Sequence, residues 1–386
     1  MASALVLCAL LVASAGVYGL DERKLAYVTV VFRHGDRSSI QVFENVTHPE
    51  SDWPQGFGQL TQKGMRQLFE LGQFLRNRYK GFLSEAYDRR EIYVRSTDTD
   101  RTLMSAAASL AGLYPPSGEQ MFRPDLKWQP IPIHTVSKKE EKLLSFPLYD
   151  CPRYKQLMNE TKASKEFLDV DKAYADFYEL IRKNTGLSMS VATVWRLYDI
   201  LLCETRHDLA VPDWVTPEVM DKLKYLTDFG LQALFVVHQH KEKSRLQGGL
   251  LLGELVKNLN KMAAAGSDEK LKMMLLSGHD TTIIALQAAL DVFSGKQPPY
   301  SSCFIVELYK EADGSASVSM FYRNDTTADP YPLQLPGCSL NCPLNEFVRI
   351  TKPHVSDDRE KDCQLPVEKI EKTDKGSECQ CGGPAA

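Results

Sequence analysis

Ala26-Tyr27-Val28-Thr29-Val30-Val31-Phe32-Arg33-His34-Gly35-Asp36-Arg37 decides how this chain is read. Its first seven residues are a near-continuous run of β-favouring side chains, the pattern of a strand buried on both faces in a parallel sheet. The run then breaks into two arginines and a histidine within five positions. Ligands of open α/β sheets bind just beyond the carboxyl ends of strands. Gly35 permits a tight turn there, or a close backbone approach to a ligand. The stretch therefore reads as an anion site with a nucleophile in it. The plainer reading is two surface arginines and an ordinary loop histidine.

Two further apolar runs end in the same chemistry. Glu91-Ile92-Tyr93-Val94 is a short strand that delivers Arg95-Ser96-Thr97-Asp98-Thr99-Asp100-Arg101. The Ser/Thr/Asp cluster starts a helix that continues through Leu103 to Leu113. Arg101 falls in its first turn, where a cation opposes the helix dipole and wants a compensating anion. Asp98 or Asp100 could supply that anion instead of a ligand. Lys272-Met273-Met274-Leu275-Leu276-Ser277 is the third run, ending in Gly278-His279-Asp280-Thr281-Thr282 before a helix through Leu290. Read alone, Asp280 is a helix N-cap. Between the first two strands lie a polar loop, residues 38–59, and a helix capped by Thr61. That helix carries an apolar stripe of Met65, Leu68, Phe69, Gly72, Leu75 and Tyr79, which is core packing. Strand, helix, strand in this order means a βαβ pattern.

Residues 126–240 change character. A proline-stiffened segment, Trp128-Gln129-Pro130-Ile131-Pro132, leads to helical patterns over about 166–184, 191–203 and 216–240, with no β-run between them. This is a helical cap inserted into a discontinuous α/β domain made of residues 24–125 and 241–350. Gly248-Gly249 is expected to begin a helix to about Met262. Residues 302–309 and 315–322 form a hairpin around Asp313-Gly314. A proline-rich wrap held by cysteines follows from Pro330, and residues 366–386 read as a disordered tail. The fold class is α/β, a central mixed, mostly parallel sheet flanked by helices with a smaller helical domain.

Residues 1–19 form a signal peptide with an apolar core too short to span a bilayer. No later stretch has the length and apolarity of a transmembrane anchor, so the mature protein is expected to be soluble. Of nine cysteines, Cys8 leaves with the signal. The even remainder fits disulfides in an oxidising compartment. Cys338 and Cys342 are close enough to pair locally, and spacing leaves the other pairings open. Sequons at Asn45, Asn159 and Asn324 agree with passage through the secretory pathway. A net charge of −4 in a chain of 386 residues excludes any global attraction for nucleic acid, so phosphate affinity must be local.

Arg33, Arg37 and Arg101 supply forked donors matched to a phosphoryl group, with His279 beside them. His34 is the nucleophile. The flanking cations lower its pKa and keep a ring nitrogen free in mild acid. Asp280 is the proton donor to the leaving alkoxide. No metal motif, nucleophile elbow or P-loop is present, and no cofactor is implied.

Arg33-His34-Gly35 with Arg37, and the later His279-Asp280, resemble the histidine acid phosphatases. Trp53-Pro54-Gln55-Gly56-Phe57-Gly58-Gln59-Leu60-Thr61, Arg95-Ser96-Thr97-Asp98 with Asp100-Arg101-Thr102, and Trp128 to His134 look like the lysosomal and prostatic branch. The similarity covers about residues 24–363. It implies a phosphohistidine on His34, phosphate held by Arg33, Arg37, Arg101 and His279, and Asp280 as the acid. It implies hydrolysis of small-molecule or protein phosphate monoesters without a metal, on a phosphoglycerate-mutase-like architecture. It further implies a homodimer through the 128–134 region and disulfides Cys151–Cys363, Cys203–Cys303 and Cys338–Cys342, leaving Cys379 and Cys381 in the tail. Ser39 stands where the family motif has proline, which would stiffen the loop. The lysosomal branch carries a C-terminal anchor and this chain ends without one, which leaves the lysosomal lumen and secretion both open. A mutase-like phosphoryl transferase and an idle secreted binding protein are the competing functions.

Overall fold

The computed structural model describes residues 23–40, 43, 48–264 and 269–366. The signal segment, Asn45, the tail, and Cys379 and Cys381 lie outside the described residues.

Seven strands form one mixed sheet in the order β2-β3-β1-β4-β5-β6, with β7 paired to β5. The apolar run at the start of the chain is β1, Lys24–Arg33, and its Val28, Val30, Val31 and Phe32 are fully buried. β2 is Ile92–Ser96 and β3 is Met273–Gly278. Both run parallel to β1, with β3 in the middle. The expected hairpin is β4, Cys303–Lys310, and β5, Ala316–Arg323. β4 lies antiparallel against β1, and the short β6, Tyr331–Leu333, and β7, Asn341–Pro343, pair antiparallel with β5.

Helices cover the faces. α1 is Gln62–Arg78, and the Thr61 side chain accepts from Gly64 N at its start. α2 is Asp100–Leu113 and packs on α1. The buried side of α1 is Gly64, Leu68, Leu71, Gly72 and Leu75; Phe69, expected in the stripe, is 41% exposed. Between α2 and the next long helix come α3, Pro152–Ala163, α4, Lys165–Ala173, α5, Ala175–Thr185, α6, Trp195–Arg206, and α7, Pro217–Phe235. Their own apolar core holds Phe167, Ile181, Leu197, Leu201, Leu223 and Phe229. The pattern over 166–184 proves to be two helices, since the chain kinks at Tyr174. Before α3, residue His134 bridges to Arg95 and exchanges backbone hydrogen bonds with Val94 and Ser96, so this extended segment borders the sheet.

α8 is His240–Ala263. It begins eight residues before Gly248 rather than at it. The two glycines serve packing inside the helix. A Cβ on Gly248 would lie 2.1 Å from the Ala285 carbonyl oxygen, and one on Gly249 2.8 Å from that of His354. The Gly248 contact is with α9, Asp280–Ala289. α10, Leu344–Thr351, and α11, Arg359–Asp362, close the described chain.

Disulfides join Cys151 to Cys363 and Cys338 to Cys342. The implied Cys203–Cys303 bridge is absent, and both residues are buried free thiols. They occupy different surroundings. Cys203 on α6 has its sulfur 3.6 Å from Arg37 Nη1 and 3.7 Å from the Tyr300 hydroxyl. Cys303 opens β4 inside the sheet core with Val28, Val30 and Ile305. Burial pushes both thiols up to about 12, so neither is a ready thiolate. Asn159 and Asn324 are exposed. No helix among the described residues is long and apolar enough to cross a membrane.

Candidate active site

The register of β1 and β3 sets two histidines side by side. Arg33 pairs with Gly278, the last residues of the two strands. His34 and His279 then leave adjacent strands together, and His34 N donates to the Gly278 carbonyl at 3.0 Å. Their ring centroids are 5.6 Å apart at 74°. β2 brings the third strand end: Ser96 lies opposite Ser277, and the chain turns through Thr97 into α2. Thr97 Oγ1 sits 3.1 Å from His279 Nε2. Arg33, His34, Arg37, Arg101, His279 and Asp280 all line one cavity of about 760 Å³ between the sheet edge and the helical segment.

His34 is 2% exposed. Its Nδ1 lies 2.8 Å from the Gly35 carbonyl oxygen. A carbonyl only accepts, so Nδ1 carries the proton and Nε2 keeps its lone pair. Burial, and then the charges of Arg101, Arg33, Arg37 and His279, hold the imidazole pKa well below its ordinary value. Burial and Arg101 take His279 down to about 3, against the pull of Asp280. Both rings are thus neutral in mild acid.

Asp280 is the first residue of α9, with His279 as the cap. Its Oδ2 lies 3.1 Å from Arg33 Nη2 and accepts from Gln297 Nε2 at 2.7 Å; its Oδ1 accepts from Thr281 N at 2.8 Å. Burial pushes this carboxyl up, but Arg33, the Gln297 amide and the Thr281 N–H together outweigh it and hold the pKa low. Arg101 forms no ion pair with Asp98 or Asp100 among the described residues; Asp100 accepts instead from Gln59 Nε2 at 3.0 Å. Burial and the neighbouring Arg37 lower Arg101 to about 10. An under-compensated guanidinium facing a cavity is a ready anion ligand.

Further residues complete the site, and Asp199 and His207 have no signal in the sequence. Asp199 on α6 accepts two hydrogen bonds from Arg37, at 2.7 and 3.1 Å. Asp36 is fully buried and receives His207 Nε2 at 2.6 Å and Thr61 Oγ1 at 2.7 Å. These contacts tie the loop after β1 to α6 and α1. Tyr300 lies under the Arg33 guanidinium, 4.3 Å from ring centroid to Cζ, and Pro298 O accepts from Arg33 Nη1 at 2.5 Å. This one was within reach of sequence reasoning, because an antiparallel β4 must start at the edge where β1 ends. Gly35 is small because of α1: a Cβ there would meet Gly64 O at 2.5 Å. Ser39, at the proline position, is buried, and its carbonyl accepts from Gly58 N at 2.8 Å. Among the described residues no three His, Cys, Asp or Glu side chains gather to hold a metal ion.

A mixed sheet presenting two neutral histidines, three arginines and a carboxylate at one edge is the architecture of a phosphoryl-transfer enzyme. Residues 24–324 match the family described as histidine phosphatase superfamily (branch 2), and the chain belongs to it. Histidine phosphatases work through a phosphohistidine intermediate. The chain is 51% identical over 344 residues to the lysosomal acid phosphatase of Homo sapiens, covering 89% of this chain and 81% of that protein. It is 47% identical over 349 residues to the prostatic acid phosphatase of Bos taurus, covering 90% and 89%. The phytase of Hafnia Alvei in complex with tartrate shares the fold, with a TM-score of 0.68 at 18% identity over 89% of this chain and 99% of that one.

Proposed function

We propose that this protein is an acid phosphatase whose His34 Nε2 attacks the phosphorus of a phosphate monoester. The lone pair of Nε2 forms the N–P bond as the bond from phosphorus to the ester oxygen breaks. Asp280 gives its proton to that oxygen, releasing the alcohol. Water then attacks the phosphohistidine, the Asp280 carboxylate takes a proton from it, and the P–N bond breaks to release phosphate. Arg33, Arg37, Arg101 and His279 hold the phosphoryl oxygens and stabilise charge in both transition states. The observation that carries this reading is the lone His34 ring nitrogen left free by the Gly35 carbonyl, in one cavity with three arginines and Asp280.

Asp280 is held ionised by Arg33 in the resting state, so it must be loaded before it can act as an acid. A bound phosphoryl group competes for Arg33 and adds negative charge beside the carboxyl, and both effects raise its pKa. A monoanionic ester, abundant in acid, brings the needed proton. The retained nucleophile and acid disfavour an idle binding protein. A secretory leader and sequons disfavour a mutase acting on cytosolic substrates, and fit an enzyme of the lysosomal lumen or the secreted medium. Exposed Phe122, Leu126 and Trp128 beside the 128–134 segment support a homodimer there.

The test is to mix enzyme with a phosphate ester, quench in alkali, and map the phosphorylated residue. Phosphate on His34, and its loss together with turnover in His34→Ala, is the expected result. Phosphate on serine or aspartate overturns the mechanism.

A further inference from the structure

The cavity is far larger than the phosphoryl group that its floor accommodates. At about 760 Å³ it falls in the range of sites that enclose a drug-sized molecule. Its upper wall is apolar and aromatic. Trp195 opens α6 and is 36% exposed, Tyr149 is 57% exposed, and Leu202 and Leu231 line the same cavity. Exposed aromatic rings at a cavity mouth offer stacking surface at small entropic cost.

The charges lining the same cavity do not balance. Its two carboxylates, Asp199 and Asp280, are already held by Arg37 and Arg33. Arg101, Lys138 and Lys162 remain, and none of them has an ion-pair partner among the described residues. The monoanionic ester of the proposed mechanism neutralises one of these three unmatched positive charges and leaves two. Lys138 and Lys162 come from separate segments, the turn before α3 and the last turn of α3 itself. A lysine in a helix's last turn is favourable on dipole grounds alone. That explains neither Lys138 nor the meeting of both lysines on one cavity.

We propose that the upper cavity is a leaving-group subsite, in which Trp195 and Tyr149 stack on an aromatic ring and Lys138 and Lys162 bind a second anionic group carried by it. The preferred esters are then aryl phosphates with a distal carboxylate or phosphate. This rests on the phosphatase reading above and adds a specificity to it.

The experiment compares three esters: phenyl phosphate, its para-propanoate derivative and the matching propanamide. The alkyl spacer keeps the leaving phenols electronically alike, so the acid–amide ratio of kcat/KM reads the second anion alone. Solvent-exposed charge pairs contribute modestly each, so two lysines give the acid an advantage of roughly five- to tenfold. Most of it lies in KM, and it shrinks at high salt. In Lys138→Ala/Lys162→Ala the ratio falls to near one, and in Trp195→Ala the advantage of phenyl phosphate over glycerol phosphate falls. Both lysines are exposed, so their removal leaves the cores intact, and phenyl phosphate turnover reports the catalytic residues in each variant. Equal kcat/KM for acid and amide in the wild type, or a preference that survives the double substitution, overturns the subsite while leaving the phosphatase reading standing. If the wild type turns over none of the three esters, the phosphatase reading falls and the subsite with it.

Discussion

Asp199 on α6 grips Arg37, four residues beyond the end of β1, through two hydrogen bonds of 2.7 and 3.1 Å. Both side chains are nearly buried, at 5% and 10% exposure. The pair anchors Arg37, a phosphate ligand in the proposed mechanism, to a residue of the helical segment. Asp199→Ala leaves a buried guanidinium alone, and breaking such a pair costs about 3–5 kcal/mol. The expected outcome is a lower Tm in the ligand-free enzyme that inorganic phosphate largely restores, because phosphate replaces the missing carboxylate. Differential scanning fluorimetry with and without phosphate reads both effects. An unchanged Tm would mean that Arg37 finds another partner.

In the proposed mechanism Asp280 is needed only as far as the leaving group needs a proton. Asp280→Asn should lower kcat on phenyl phosphate by about 10²–10⁴-fold, the usual worth of a general acid. The loss on 2,4-dinitrophenyl phosphate, whose phenolate leaves unaided, should be much smaller. Steady-state kinetics across a series of phenols gives a steeper dependence on leaving-group pKa in the variant. A uniform loss across the series would assign Asp280 to holding Arg33 instead.

The low pKa of His34 sets both an activity and a stability profile. Its causes are burial, then Arg101, Arg33, Arg37 and His279. An ordinary imidazole of pKa about 6.5 would see its neutral form fall about 25-fold between pH 7 and 5; the lowered pKa of His34 protects it from that fall. kcat/KM on the dinitrophenyl ester should therefore stay level over that interval. For stability the sign is fixed by proton uptake. Both histidines are neutral in either state above about 6.5, and below it the unfolded chain binds protons that the folded chain refuses. Their contribution is present above the unfolded pKa and is lost as pH falls. Tm of the phosphate-free enzyme should decline between pH 7 and 4.5, and decline less in His279→Gln. Equal slopes would place the titration elsewhere.

How much of this was readable beforehand follows from what each residue answers to. β1, β2, β3 and the helices after them were legible because burial on two faces imposes continuous apolar runs, and the polar residues that follow must emerge at one edge. His34, Arg101, His279 and Asp280 were named on that basis. Asp199 and His207 were not, because they reach the site from α6 through contacts 162 and 171 residues distant in sequence, and helical periodicity says nothing of what a polar face meets. Gly248 and Gly249 look like a helix start in the sequence, but the helix begins at His240. Glycine in mid-helix lowers propensity, and only the approach of the Ala285 and His354 backbone explains why it is tolerated. Cys203 and Cys303 carry no spacing signal, and a pairing assumed from resemblance met two separate buried environments.

Gly35 is the smallest residue of the site and one of the least replaceable. An added Cβ would fall 2.5 Å from Gly64 O, 2.7 Å from Gly64 Cα and 2.6 Å from Leu68 Cδ2. Two of those atoms belong to the backbone of α1, which Thr61 fixes by capping Gly64 N and by donating to Asp36 Oδ1. Gly64 is the mirror of the problem, since a Cβ there would lie 2.1 Å from Asp36 O. Helix and loop thus touch glycine to glycine, and neither side can give without moving the carbonyl that sets the His34 tautomer. Gly35→Ala should cost about 1–3 kcal/mol of stability or more, as overpacked cores do, and should lower kcat beyond what the folded fraction explains. Leu68→Ala in the same chain removes the side-chain clash but leaves the backbone one, so it should not restore activity. Chemical denaturation and active-site titration of the single and double variants check this; recovery in the double variant would show that the side chain alone sets the limit.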